Sequence, residues 1–260
     1  MSTTTAAPAA ALGLSGISVR FGGLVALDEV SLTVRPATVH GVIGPNGAGK
    51  TTLFNVACGF VRPETGEIMR GGRPLPKLQP HDLPRLGMAR TLQGLGLFDR
   101  MTVLDNVMVG AERHARTGFW ATAWGSPRSW REERALRERA LAALDALGIA
   151  DLAPLLPTSL PYPVRKRVAL ARALVAEPEL LLLDEPAGGL SAAEIDELGD
   201  LVRSLTDRMA VLLVEHHMDL VMRTCDEITV LDFGRVIAHG TPDEVQQDPR
   251  VLDAYLGEAR

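Results

Sequence analysis

Gly44-Pro-Asn-Gly-Ala-Gly-Lys-Thr-Thr52 is the stretch on which the rest of the chain is read. The spacing Gly44-x-x-x-x-Gly49-Lys50-Thr51 fits a phosphate loop: its glycines let the backbone N–H groups of residues such as Asn46, Gly47, Ala48 and Gly49 curl around an anion, and a helix N-terminus adds positive potential. Lys50 reaches the terminal phosphates, and the hydroxyl of Thr51, with Thr52 beside it, stands where a Mg²⁺ ligand belongs. A glycine turn that merely capped a helix would need neither the lysine nor the threonine. The apolar run from Val39 to Ile43 precedes the loop and a helix-compatible stretch to about Cys58 follows it, so the order is strand, loop, helix.

Upstream, residues Ile17 to Val42 alternate β-branched and aliphatic positions, with turn signals at Gly22-Gly23 and Arg35-Pro36; they read as a set of short strands. Met1 to Ala11 is rich in Ser, Thr, Ala and Pro without a basic segment before an apolar one, and is expected to be a disordered tail rather than a signal peptide. Downstream, residues 93–175 change character and read as an inserted helical segment. Apolar residues at 136, 140, 141, 144 and 147 lie on one face of a helix over Arg131–Leu147 closed by Gly148. After Pro178 the α/β pattern resumes, with strands at Leu180–Leu183, Ala210–Val214, Ile228–Leu231 and Val236–Ala238 and a helix from Ala192 to Leu205.

Composition narrows the class of protein. With 46% apolar and 23% charged residues, the chain is neither disordered nor collagen-like, and its two cysteines, Cys58 and Cys225, show no metal or redox spacing. The longest apolar runs fall far short of the roughly 20 residues that span a bilayer. A net charge of −5 gives no chain-wide attraction to nucleic acid or anionic lipid, and a reducing cytoplasm is the expected compartment. Only three basic residues are lysines, Lys50, Lys77 and Lys166, and one of them sits in the loop.

A second acidic motif belongs with the loop. Leu180–Leu183 ends in Asp184-Glu185, two carboxylates at the C-terminal end of a buried strand, where open α/β sheets bind ligands. Beside a phosphate loop, Asp184 is placed to hold Mg²⁺, through water, and Glu185 to orient and deprotonate an attacking water.

The phosphate loop, Gln93 in Arg90-Thr-Leu-Gln93, Asp184-Glu-Pro-Ala-Gly-Gly-Leu190 and Glu215-His216 occur in the order found in ABC-transporter ATPase subunits, which the chain resembles over residues 13–260. Leu160-Pro-Tyr162, Phe98-Asp-Arg-Met-Thr-Val-Leu-Asp-Asn-Val-Met-Val109, Glu215-His-His-Met-Asp-Leu-Val-Met222 and Ala254-Tyr-Leu-Gly-Glu258 are similar to the branched-chain amino-acid importers within that superfamily. The resemblance implies an α/β P-loop NTPase cassette, with a RecA-like mixed core sheet, an antiparallel β subdomain and an inserted α-helical subdomain. Implied boundaries are a tail at 1–12, a first core part at 13–92, a helical signature subdomain at 93–175, a second core part at 176–246 and a C-terminal extension at 247–260.

Roles follow from the resemblance, residue by residue. Phe21 stacks on adenine. Gln93 senses Mg²⁺ and the lytic water and links the site to a transmembrane partner, while His216 contacts the γ-phosphate; His217 is a bystander. Leu160, Pro161, Tyr162, Pro163 and Val164 form the signature loop that reaches the nucleotide of an opposite subunit, and Gly189, Leu190 and Ser191 form the D-loop between subunits.

Two departures stand out. Relatives of the branched-chain type usually keep glycine where this chain has Pro163, and proline has no N–H, so one phosphate donor is missing. Pro163 is expected at the first position of a helix over Val164–Ala176, with Arg165, Lys166 and Arg167 in its first turn, either replacing that donor or forming a solvated basic edge. Ser191 stands where Asp or Asn is usual, which would weaken communication across the dimer.

The implied function is an ATP-hydrolysing, MgATP-dependent subunit, peripheral on the cytoplasmic face of the plasma membrane. It would power uptake of branched-chain amino acids or a related solute through separate permease subunits, served indirectly by a solute-binding protein, with no nucleic-acid partner. Two chains must face each other to complete a site, and the altered signature loop favours a paralogous partner over an identical one. The rival readings are a weakly hydrolysing regulatory subunit, supported by Pro163, and the ATPase of a lipid exporter.

Overall fold

The computed structural model describes residues 11–91, 95–111 and 127–257, with the side chains of 127–129 and 256–257 left aside. In chain order the elements are β1 (Leu12–Phe21), β2 (Leu24–Val34), β3 (Val39–Ile43), α1 (Lys50–Ala57), β4 (Thr65–Arg70), β5 (Arg73–Pro74), β6 (Met88–Arg90), α2 (Val103–Gly110), α3 (Pro127–Asp145) and α4 (Tyr162–Leu174). They continue with β7 (Leu180–Asp184), α5 (Ala192–Leu205), β8 (Ala210–Val214), α6 (Met218–Thr224), β9 (Glu227–Asp232), β10 (Arg235–Gly240), α7 (Pro242–Gln247) and α8 (Pro249–Gly257). The chain divides into two compact units, one formed by Met1–Leu86 with Glu179–Arg260 and the other by Gly87–Pro178.

In the first unit, strands run in the order β10-β9-β3-β8-β7, parallel except for the antiparallel β9–β10 pair. β3 and β8 are buried at every position, as expected of continuous apolar runs in strands covered on both faces. A separate antiparallel sheet, β2-β1-β4-β5, carries the N-terminal hairpin. Of the short strands expected between Ile17 and the loop, Val39–Ile43 is β3 as read, whereas those before it are two long strands of 10 and 11 residues, with register shifts that let them bend. Leu12, assigned to the tail from sequence, opens β1 and is fully buried.

β3, β9 and β10 share a buried polar cluster. His40 Nε2 lies 2.8 Å from Thr229 Oγ1, which is 3.2 Å from His239 Nδ1, and the two rings stack at 5.7 Å. Burial, with smaller contributions from the charges of His239 and Arg35, pushes the His40 pKa down from 6.5 to about 3, so the folded chain holds this ring neutral. The unfolded chain takes up the proton first. Stability from this residue is therefore complete above about pH 6.5 and is lost as pH falls from there toward 3. Between pH 7 and 5 the wild-type chain is expected to lose about 2 kcal/mol more than a His40→Gln variant, read from urea midpoints.

The second unit is helical. Thr102 caps α2 reciprocally with Asp105. Gly110 lies against α4, where a Cβ would overlap the Arg172 carbonyl oxygen. Arg172 donates to the carbonyls of Leu95 at 2.7 Å and Gly96 at 2.6 Å. α3 starts four residues before the expected Arg131 and ends two before Leu147, and Leu144 is fully buried on its inner face, but Leu141, expected on that face, is 36% exposed.

α4 begins at Tyr162 rather than Val164 and ends at Leu174 rather than Ala176. Pro161 is its N-cap and Pro163 its second residue, a place where the missing N–H is harmless because the first-turn N–H groups have no partner within a helix. Arg165 and Lys166 lie 5.7 and 5.3 Å from the centre of the Tyr162 ring.

Candidate active site

β3 delivers the chain to Gly44, whose φ of +149° is open to glycine, and where a Cβ would overlap the carbonyl oxygen of Leu231 on β9. The loop then turns on itself through Ala48 N–H to Pro45 O at 3.2 Å, and Ala48 O accepts the N–H of Gly234 from the β9–β10 turn at 3.0 Å. Gly49, at φ +103°, starts α1 with no side-chain cap. Lys50 is buried, and its ammonium donates to Gly44 O at 2.6 Å and Pro45 O at 2.8 Å. Asn46, Gly47 and Thr51 are exposed beside it, and Thr52 is half-buried. An uncapped helix N-terminus, a curled backbone and a lysine together form a site for an anion carrying several phosphates.

The acidic partner residues lie on the neighbouring strands. Val214 of β8 is in register with Val42 of β3 on one side and Asp184 of β7 on the other, so the residues that follow each strand emerge side by side. Glu185 has φ +47°, a left-handed backbone that a side chain rarely adopts, and its N–H donates to Val214 O at 2.8 Å. Its side chain is 39% exposed, and its Oε1 lies 3.9 Å from His216 Nδ1. His216 and His217 place their ring centres 4.3 Å apart.

Other residues named from the sequence lie elsewhere or play additional local roles. Phe21 ends β1 at the hairpin tip, 53% exposed and in register with Leu24. Gln93 lies outside the described residues. Leu160 is buried, while Pro161 and Tyr162 are exposed at the start of α4 in the second unit. Gly189 has φ +75°, and Ser191 is the N-cap of α5 in a reciprocal box with Glu194, whose carboxyl accepts from Ser191 N and Oγ at 2.7 Å each. The Ser-x-x-Glu spacing of 191–194 was the sequence signal for that cap.

One residue of the site had no role in the sequence reading. Glu215 follows β8 directly and is fully buried; its Oε1 accepts from Ala187 N at 2.7 Å, and its Oε2 from His216 N at 2.8 Å and His217 N at 3.1 Å. Ligand atoms of Glu215, His216 and His217 fall within 4.8 Å of one another, but the carboxyl group is already engaged by these three N–H donors. An acid between an apolar strand and a histidine pair carries no pattern that would have assigned this.

The fold and this arrangement define a phosphate-loop nucleotide-binding cassette. The chain belongs to the ABC transporter family: the family description "ABC transporter" matches residues 27–188, and "Branched-chain amino acid ATP-binding cassette transporter" matches residues 235–260. It is similar to the high-affinity branched-chain amino acid transport ATP-binding protein BraF of Pseudomonas aeruginosa, 40% identical over 95% of this chain and 98% of that protein. LivG of Escherichia coli, a protein of the same description, is 38% identical over the same shares. A crystal structure of an ATP-binding cassette of an ABC transporter in its ADP conformation superposes with a TM-score of 0.81 at 30% identity, covering 95% of this chain and 99% of that one. The chain is thus an ABC-type ATPase. Among its described residues, no helix is long and apolar enough to cross a membrane.

Proposed function

We propose that this chain hydrolyses ATP to drive uptake of branched-chain amino acids or a closely related small solute through separate permease subunits at the inner face of the membrane. Similarity to BraF and LivG along 95% of the chain is the observation that carries the solute assignment. Uptake of radiolabelled leucine by cells lacking the chain tests it. Uptake lost, and restored by the wild type but not by Lys50→Ala, is the expected result; undiminished leucine uptake would overturn the solute assignment.

In this reading, Lys50 and the N–H groups of Asn46 to Thr52 bind the phosphates and Phe21 stacks on adenine. Thr51, Asp184 and Gln93 hold Mg²⁺; the Thr51 hydroxyl and the Asp184 carboxyl are oxygen donors of the kind that a hard divalent cation prefers. When bound, the ion neutralises charge on the phosphates. Glu185 takes the proton of the attacking water, and His216 holds the γ-phosphate.

Leu160–Val164 face the nucleotide of a second ATPase subunit, with Gly189, Leu190 and Ser191 at the seam between subunits. We assign a paralogous partner, because Pro163 removes an N–H donor from this chain's own loop. Restoring the donor with Pro163→Gly is expected to raise MgATP turnover by the purified chain alone about tenfold, the worth of one hydrogen bond to a charged group. Unchanged turnover in that assay would remove the reason for a paralogous partner.

A further inference from the structure

We propose that Glu215 is a positioning residue that locks the segment carrying Glu185 to the segment carrying His216, an inference that rests on the catalytic reading of those two residues. Its two oxygens accept N–H groups from both sides of the site: Ala187, two residues after Glu185, at 2.7 Å, and His216 and His217 at 2.8 and 3.1 Å. Glu185 is consequently held from both flanks, by its own N–H on Val214 O at 2.8 Å and by the Ala187 tie. A left-handed residue of this kind persists only where its surroundings enforce it. His216 Nδ1 sits between the two acids, 3.9 Å from Glu185 Oε1 and 3.7 Å from Glu215 Oε2, so the buried carboxyl group sets the spacing of the exposed pair.

Chemistry explains why an acid is needed. Three N–H donors converge, and only a side chain with two acceptor oxygens satisfies all of them. Glutamine offers one oxygen and turns an NH₂ toward the remaining donors. The Glu215→Gln substitution therefore breaks one side of the tie while keeping shape and volume. None of these three donors belongs to the phosphate loop, whose Lys50 donates to Gly44 O and Pro45 O.

The test compares wild-type full-length chain with Glu215→Gln in steady-state MgATP turnover, nucleotide binding and amide hydrogen exchange. The expected result is a kcat at least about tenfold lower with nucleotide affinity unchanged within about twofold. Exchange is expected to accelerate together in the peptides containing Ala187 and His216-His217, without nucleotide. Equal losses in kcat and affinity, or unchanged kcat, or faster exchange in only one of the two segments, would overturn it. Should Glu215→Gln fail to fold, Glu215→Asp keeps both oxygens one methylene short of their donors and carries the same measurements. Full turnover by Glu185→Gln would instead sink the catalytic reading, and the exchange result would still decide whether Glu215 ties the two segments.

Discussion

Glu185→Gln is expected to lower MgATP turnover by at least about 100-fold while leaving nucleotide binding intact, which is the span a positioned general base contributes. The two side chains have the same shape, and the left-handed turn at 185 is held through the backbone, by the N–H on Val214 O at 2.8 Å, so the substitution would remove the proposed proton acceptor without removing its support. Phosphate release measured beside binding of a fluorescent ATP analogue separates the two effects. Undiminished release would place the base elsewhere, and His216, within 3.9 Å of Glu185, would be the group to substitute next.

The second large effect lies in the loop itself. Gly44→Ala is expected to abolish nucleotide binding and to lower folding stability by about 2–4 kcal/mol, because the added Cβ would overlap the Leu231 carbonyl oxygen in the centre of the sheet. Gly47, in the same loop, is the control. It also has positive φ, +78°, but a Cβ there meets nothing within 4 Å, so Gly47→Ala carries backbone strain alone, about 1 kcal/mol. Urea unfolding and nucleotide titration of the two variants distinguish a steric block from loop strain. Equal losses in both would show that the φ requirement, not the close approach of β9, dominates.

Legibility in the sequence followed burial. Leu180–Leu183 and Ala210–Val214 are strands covered on both faces, and their uninterrupted apolar runs announce them; the helix expected over Ala192–Leu205 is α5 to the residue, and the Ser191 cap that starts it is a feature the sequence reading left unused. β4 was invisible because Ile68 is its only buried residue, leaving no period-two pattern to read. Leu141 was misplaced because a 3.6-residue period marks an arc wider than the surface that α4 and α2 cover. Within the site, the phosphate loop and Asp184-Glu185 stand in contiguous motifs. The role of Glu215 depends instead on Ala187, 28 residues away in sequence, and on hydrogen bonds to backbone atoms, which leave no trace in residue type.

The prolines that open α4 change more than the donor count. Pro161 has φ −58°, and the ring of Pro163 restricts its own φ to about −65°, so the turn around Tyr162 has few conformers to choose among even before the fold forms. If this turn faces a second subunit as proposed, a glycine-rich loop in its place would lose backbone entropy at each engagement and regain it on each release. The Pro-Tyr-Pro turn has little left to lose. In the proposed dimer, what the turn would give up in hydrogen bonding it would recover in part as preorganisation, making each closing and opening of the pair less entropically demanding.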